Sequence, residues 1–352
     1  MSYFRSDLTN LPAYVAGKPG SDPSIIKLSS NEMPFGTLQA VRSVLDRDLD
    51  TLNAYPDMGA VAMREAIADF HGVDIAQVAV SNGSVNMIEK IVDAVCDPGT
   101  EVVMAWRSFE AYPIAVTLAG AVSIQVPVTD DGEHDLVAMA EAVTDKTRAI
   151  LLCSPNNPTG TAFTHTELED FLGRVDSSIP VILDEAYIDF ARLEDPVRSE
   201  ELLQSHPNLI ILRTFSKVYS LAGLRIGYTL AHAEVAEVLR AIATPFGVNT
   251  LAQAAAIAAL GDTDEVKKRS DFIVSERERL LEALDGLGYK IPRSQGNFVW
   301  FAMTDVEPFV EVANRHLITV RPFAGDGVRV TIGSEEANDR IIAAATEYSQ
   351  RG

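Results

Sequence analysis

Short, wholly apolar runs alternate with amphipathic stretches along most of the chain. Residues 60–71 carry apolar positions at helical spacing. Val78-Ala79-Val80 predicts a strand running into Ser81-Asn82-Gly83-Ser84, and residues 85–96 predict the helix that follows. Further strands are expected at 101–106, 149–153, 180–183 and 209–212. Strands that are apolar throughout and separated by helices imply an α/β fold whose largely parallel sheet is covered on both faces. In such sheets ligands gather beyond the carboxyl ends of the strands. A long helix at 264–287, closing on Gly286-Leu287-Gly288, predicts a connector. After it comes strand 297–302, helix 306–315, strand 328–332 and helix 335–348, a small α+β unit. The expected division is an N-terminal arm at 1–35 packing with the small domain, a large domain at 36–265, and a small domain at 266–352 that begins with the connector.

Composition narrows the function classes. A chain of 352 residues, 47% hydrophobic, can bury a large core with a smaller domain attached. The net charge of −21 argues against nucleic acid and anionic membrane surfaces as partners. The longest apolar runs are strand-length, so no membrane span is expected. Residues 1–7 show no signal peptide, and two cysteines, Cys96 and Cys153, make neither a disulfide framework nor a zinc cluster. A cytoplasmic enzyme is expected. The histidines at 71, 134, 165, 206, 232 and 316 have no metal-ligand spacing and are expected at the surface or hydrogen-bonded, so no metal is predicted.

Polar residues with chemical potential fall just after the predicted strands. Lys217 follows the run 209–212, with Thr214 and Ser216 before it and Arg225 after it. An amine beside hydroxyls and a guanidinium suggests an amine close to a bound phosphate, as pyridoxal 5′-phosphate requires. Against that stands an ordinary solvated lysine. Asp184 ends another strand and opens Asp184-Glu185-Ala186-Tyr187. A buried carboxylate needs a partner; a protonated pyridine nitrogen, a helix cap or an internal ion pair would each serve. In Ser154-Pro155-Asn156-Asn157-Pro158-Thr159-Gly160 the prolines and glycine shape a turn, from which the Asn157 amide can donate to a ligand oxygen. Ser84 and Val85 open a helix whose N–H groups suit a phosphate, or Ser84 is simply its cap. Phe109 is a candidate to stack on a flat ring, or core. Arg329, inside the apolar strand 328–332, calls for an anion: a substrate carboxylate or an internal one. Arg321 is a second candidate of the same kind.

Together these residues resemble the fold-type I pyridoxal-phosphate enzymes, and within them the class II aminotransferases close to histidinol-phosphate aminotransferase. The resemblance runs from Leu28-Ser29-Ser30-Asn31-Glu32 to Arg329-Val330-Thr331-Ile332-Gly333, through the motifs at 154–160, 184–187, 214–217 and 222–227. It implies a mostly parallel mixed sheet between helices in the large domain. It makes Lys217 the Schiff-base lysine, Asp184 the partner of the ring nitrogen, and Asn157 and Tyr187 the partners of the ring hydroxyl. It stacks Phe109 on the ring and gives the phosphate to Ser84, Val85, Thr214, Ser216 and Arg225. Tyr55 is similar to the tyrosine that reaches the neighbouring subunit's phosphate, which implies a homodimer. Substrate contacts implied are Arg329, Asn31, Tyr14, Arg321 and Phe246. The substrates themselves would be an amino acid and a 2-oxo acid.

The segment Trp106-Arg107-Ser108-Phe109-Glu110-Ala111-Tyr112-Pro113, with Pro245-Phe246-Gly247 and Val320-Arg321-Pro322-Phe323, departs from the histidinol-phosphate pattern. It looks like the actinobacterial aromatic (phenylalanine) aminotransferases. The expectation is therefore amino transfer between aromatic amino acids (Phe, Tyr, Trp) and 2-oxo acids such as 2-oxoglutarate, with histidinol phosphate as the alternative substrate. A decarboxylase on this fold and a non-catalytic regulator are the other rivals. The regulator lacks the basic segment it would need for DNA.

Overall fold

The computed structural model describes residues 24–351 together with Tyr3, Arg5, Leu8, Leu11 and Asp22. Strands among them are, in chain order, β1 (Ile26–Lys27), β2 (Val78–Ser81), β3 (Glu101–Trp106), β4 (Val122–Pro127), β5 (Thr147–Cys153) and β6 (Val181–Asp184). They continue with β7 (Leu209–Thr214), β8 (Gly227–Ala231), β9 (Phe298–Ala302), β10 (Ile318–Thr319), β11 (Arg321–Phe323) and β12 (Gly327–Thr331).

Seven strands make one sheet in the order β2-β8-β7-β6-β5-β3-β4. From β7 to β4 every pairing is parallel, whereas β8 runs antiparallel to both β7 and β2. It follows that β2 points the same way as β7, so its carboxyl end opens on the same edge. Alternation along the strands sorts their side chains between the two faces. Ile150, Leu152, Val181, Leu183, Leu209 and Ile211 enter one core. Ala149, Leu151, Cys153, Ile182, Ile210 and Leu212 enter the other. Each such Leu or Ile contributes roughly 1.5–3 kcal/mol by leaving water. Helices Ser84–Val95, Ala111–Leu118 and Ala233–Ile242 cover the second face. Helix Thr250–Gly261 lies with Gln39–Asp48 and Val61–His71 on the first side, where buried Ala252, Ala255, Ala256 and Ala259 allow close packing.

Helix Thr263–Gly286 leads to an antiparallel sheet in the order β11-β12-β9, with helices Glu307–Arg315 and Glu335–Ser349 beside it. Arg277, fully buried in the long helix, ties the two parts by donating to the carbonyls of Phe190 and Gly296. Residues 26–31 run along the small sheet: β1 pairs with β10, Thr331 N–H donates to Leu28 O, and Asn31 N–H donates to Thr331 Oγ1. That path carries Ser29, Ser30 and Asn31 to the edge where β2, β5, β6 and β7 end. Among the described residues no helix is long and apolar enough to cross a membrane.

Candidate active site

Cys153, Asp184 and Leu212 sit in register across β5, β6 and β7, so the three strands end side by side. Beyond them opens a cavity of about 440 Å³. Of the residues singled out above, Ser84, Val85, Phe109, Asn157, Asp184, Tyr187, Thr214, Ser216, Lys217, Arg225, Arg321 and Arg329 all line it.

Lys217 Nζ donates to the carbonyls of Ser30 and Asn31 at 3.3 and 3.4 Å and lies 5.3 Å from the centre of the Tyr187 ring. Burial, helped by the charges of Arg329 and Arg225, pulls its ammonium down to about 7, against the opposing pull of Glu32 and Asp184. Near neutral pH a large fraction of this amine is a free base. Asp184, 4% exposed, accepts from Tyr112 Oη at 2.9 Å and from the Ala186 N–H at 3.2 Å. Burial raises its carboxyl to about 6, opposed by those two hydrogen bonds and by Lys217. It is therefore mostly an anion at neutral pH, held without a guanidinium among these contacts.

On the other wall Arg329 donates to Asn157 Oδ1 at 2.5 Å and to the Ser29 carbonyl at 2.8 Å. Tyr187 Oη accepts from Asn31 Nδ2 at 3.0 Å, so its own proton points away from Asn31. Burial pushes the Tyr187 phenol well above its ordinary value. Phe109 stands edge-on to Tyr112 at 5.5 Å.

At the β2 end the chain enters helix Ser84–Val95, whose first N–H groups have no partner within the helix. Gly83 has φ 83°, and a Cβ there would lie 2.7 Å from Arg225 Nη2. Gly227 faces Ser81 on one side and Thr214 on the other, and a Cβ on it would lie 2.5 Å from Ser84 N. These two glycines keep open a hollow ringed by amides, the Thr214 and Ser216 hydroxyls and the Arg225 guanidinium. Such a donor set suits a phosphate.

Several expectations change. Phe246 does not reach this cavity in its own chain: it is 42% exposed and packs at 4.7 Å against Tyr55, itself 82% exposed. Its loop follows helix Ala233–Ile242 to the outer side of Ser81 and Asn82, beside Asp57 and Met58. Asn31 is fully buried behind the wall, its side chain committed to Tyr187 and Thr331, and so acts through Tyr187. Tyr14 lies outside the described residues. His134 is neither at the surface nor hydrogen-bonded. Both ring nitrogens are buried without a partner, because the neighbouring Asn156 amide is taken up by Ser108, Arg107 and Thr159. Burial brings that imidazole down to about 4, so it is neutral.

Sequence reasoning missed Tyr112 and Glu110. Tyr112 follows Phe109 by one helical turn, a spacing that brings the two side chains to one side. Glu110 bonds Arg321 Nη2 at 2.5 Å, and nothing local in the sequence announces that partner.

Residues 23–345 match the family Aminotransferase class I and II. Over 347 residues the chain is 45% identical to the aromatic amino acid aminotransferase of Streptomyces coelicolor, covering 98% of this chain and 97% of that protein. It is 46% identical over 349 residues to the protein of the same name in Cutibacterium acnes, covering 99% of each. Among solved structures, histidinol-phosphate aminotransferase from Sinorhizobium meliloti in complex with pyridoxal-5′-phosphate superposes with a TM-score of 0.89 at 27% identity, over 100% of this chain and 98% of that one. A Thermus thermophilus aspartate aminotransferase mutant shares the fold, with a TM-score of 0.83 at 23% identity, over 100% of this chain and 99% of that one.

Proposed function

The chain belongs to the class I and II aminotransferases, and on that premise we propose that it moves amino groups between aromatic L-amino acids and 2-oxo acids, using pyridoxal 5′-phosphate. The observation that carries the chemistry is the convergence of Lys217, Asp184, Arg225 and Arg329 on one cavity. The aromatic specificity draws its support from the full-length similarity to proteins named for that activity.

The residues fit the cofactor. The hollow left by Gly83 and Gly227 takes the phosphate, with donors from Ser84, Val85, Thr214, Ser216 and Arg225. Asp184 is an anion without a guanidinium among its recorded contacts, the partner that a protonated ring nitrogen requires. Tyr187 and the Asn157 amide remain to donate to the ring oxygen, and Phe109 lies against the ring. When bound, the cofactor supplies an aldehyde to carry the amino group and a ring that takes up the electrons released at the substrate α-carbon.

The protein's own part follows from its charges. Lys217 Nζ, free base in good part near pH 7, takes the proton from the substrate α-carbon. Arg329, braced by Asn157 Oδ1 and Ser29 O, fixes the substrate carboxylate so that the α-proton faces that amine. Buried Asp184 stays ionised at neutral pH and holds positive charge at the ring nitrogen. Arg321 lies on the side-chain wall. Tyr55 and Phe246 serve such a site only from a second copy, so a homodimer is part of the proposal. Exposed Leu49, Leu52, Tyr55, Met58 and Val61 support it as an apolar surface for that copy. The arm, large and small divisions at 1–35, 36–265 and 266–352 and a cytoplasmic setting, which suits two unbridged cysteines, belong to the same reading.

Two measurements test it. Phenylalanine or tyrosine is expected to convert the bound cofactor to its amino form with kcat/KM about tenfold or more above histidinol phosphate, since burying an aromatic ring contributes roughly 1.5–3 kcal/mol. Single-turnover absorbance reads this directly, and a preference for histidinol phosphate reverses the substrate assignment. Gly227→Ala fills the phosphate hollow, and titration of the cofactor-free protein with pyridoxal phosphate is expected to show affinity weakened by about tenfold or more. Unchanged affinity removes that hollow from the site.

A further inference from the structure

We propose that Glu110 sets side-chain selectivity: its carboxylate neutralises Arg321 in the cavity wall and so disfavours substrates whose side chain is an anion. This rests on the aminotransferase reading of the cavity and adds a residue to it.

Arg321 and Arg329 are direct cross-strand partners on β11 and β12, and both line the cavity. Cross-strand partners project from the same face of a sheet. Both guanidiniums also flank the ring of Phe323, at 5.2 and 5.8 Å from its centre. Their recorded hydrogen bonds differ in kind. Arg329 donates to the neutral oxygens of Asn157 and Ser29, whereas Arg321 donates to the carboxylate of Glu110. One of the two adjacent cations thus faces neutral acceptors, and the other already has an anion.

Glu110 is held in place rather than swinging in solvent. Arg107 Nη1 lies 3.8 Å from its Oε1, and Arg107 is itself bound to Asp326. Arg321 with Glu110, and Arg107 with Asp326, make a four-charge group of zero net charge at this wall. The same short segment supplies Phe109, Ala111 and Ile114 to the cavity lining. One turn of chain therefore provides both an apolar surface and the counter-charge that cancels the nearest cation.

The consequence is a difference in cost between substrates. An aromatic side chain meets the apolar lining and leaves the ion pair intact. A carboxylate or phosphate side chain must displace Glu110 from Arg321, giving up a charge-assisted hydrogen bond, and then sit beside the displaced anion. Discrimination arises from this penalty as much as from any contact made to the favoured substrate.

The test uses the holoenzyme in single half-reactions, with glutamate as the anionic probe and phenylalanine as the neutral one. In Glu110→Gln the ratio of kcat/KM for glutamate to that for phenylalanine is expected to rise about tenfold or more, the worth of one hydrogen bond to a charged group. In Arg321→Gln, which leaves Glu110 facing the side chain alone, the ratio is expected to fall. Should E110Q fail to fold, Glu110→Ser carries the same expectation. A ratio that stays within about twofold of the wild type in E110Q would show the pair to be structural only, and overturn the proposal. As a readout independent of turnover, the affinity of glutarate relative to 3-phenylpropionate is expected to rise in the same variant. If wild-type protein converts neither amino acid, the transaminase reading fails on its own, and this affinity ratio still decides the role of Glu110.

Discussion

Replacing Lys217 with alanine is expected to abolish transamination, lowering turnover by about four orders of magnitude or more, the scale of losing a positioned base together with the covalent attachment point. No other amine among the cavity-lining residues can substitute, since the remaining cations there are the guanidiniums of Arg225, Arg321 and Arg329. Steady-state assay and the loss of the cofactor's lysine-bound absorbance check the result together. Retained absorbance that amino donors still bleach would overturn the assignment. A second signature separates function from folding. The folded-state value of about 7 lies below the ordinary 10.5 of a lysine. The unfolded chain therefore binds more protons between those two values, and the stability of the cofactor-free wild type rises with pH across that window. The cost is full below about pH 7. In Lys217→Ala this rise is absent, and the variant is expected to be no less stable than wild type at neutral pH. Denaturant melts of cofactor-free protein at several pH values read the slope.

Much of the frame was legible because buried parallel strands are apolar on both faces. The runs at 149–153, 181–184 and 209–214 stand out for that reason, and the polar residue that ends each marks the functional edge. The helix Thr263–Gly286 was legible from its length and its terminal glycines. Helix Thr250–Gly261 was not. It is apolar nearly all round, so it offers no polar stripe from which to read a period. The antiparallel course of β8 was also hidden, since a buried strand has the same composition in either direction.

Within the site, residues next to a strand end declared themselves, while those defined by a distant partner did not. Tyr112 bonds Asp184 across 72 residues of sequence, and Glu110 bonds Arg321 across 211. Pairs of this kind have no local pattern. Phe246 misled for a related reason: its position after an apolar helix is readable, but not which side of β2 its loop takes. His134 shows the limit from another side, because one neighbour's hydrogen-bond commitments decide whether a buried imidazole finds a partner.

Exchanging Asp184 for asparagine is expected to separate the needs of the fold from those of the reaction. The carboxyl rises from an ordinary 3.8 to about 6 in the folded chain, chiefly through burial. The folded state therefore holds its proton more tightly, and this group's contribution falls as pH rises from about 4 to about 6. At neutral pH the buried anion costs the cofactor-free protein roughly 3 kcal/mol. Asparagine keeps the shape and still offers an oxygen to Tyr112 Oη and the Ala186 N–H, so cofactor-free Asp184→Asn is expected to melt higher than wild type at pH 7. Turnover moves the opposite way. Without the anion nothing favours charge on the ring nitrogen, and kcat is expected to fall by about two to three orders of magnitude, the scale of losing one preorganised charge partner. The stabilisation gained on adding pyridoxal phosphate, read as the difference in Tm with and without it, is expected to shrink in the variant. A cofactor-free D184N protein that is less stable than wild type, or a variant with undiminished kcat, would remove Asp184 from the role of ring-nitrogen partner and leave it a structural carboxylate serving Tyr112.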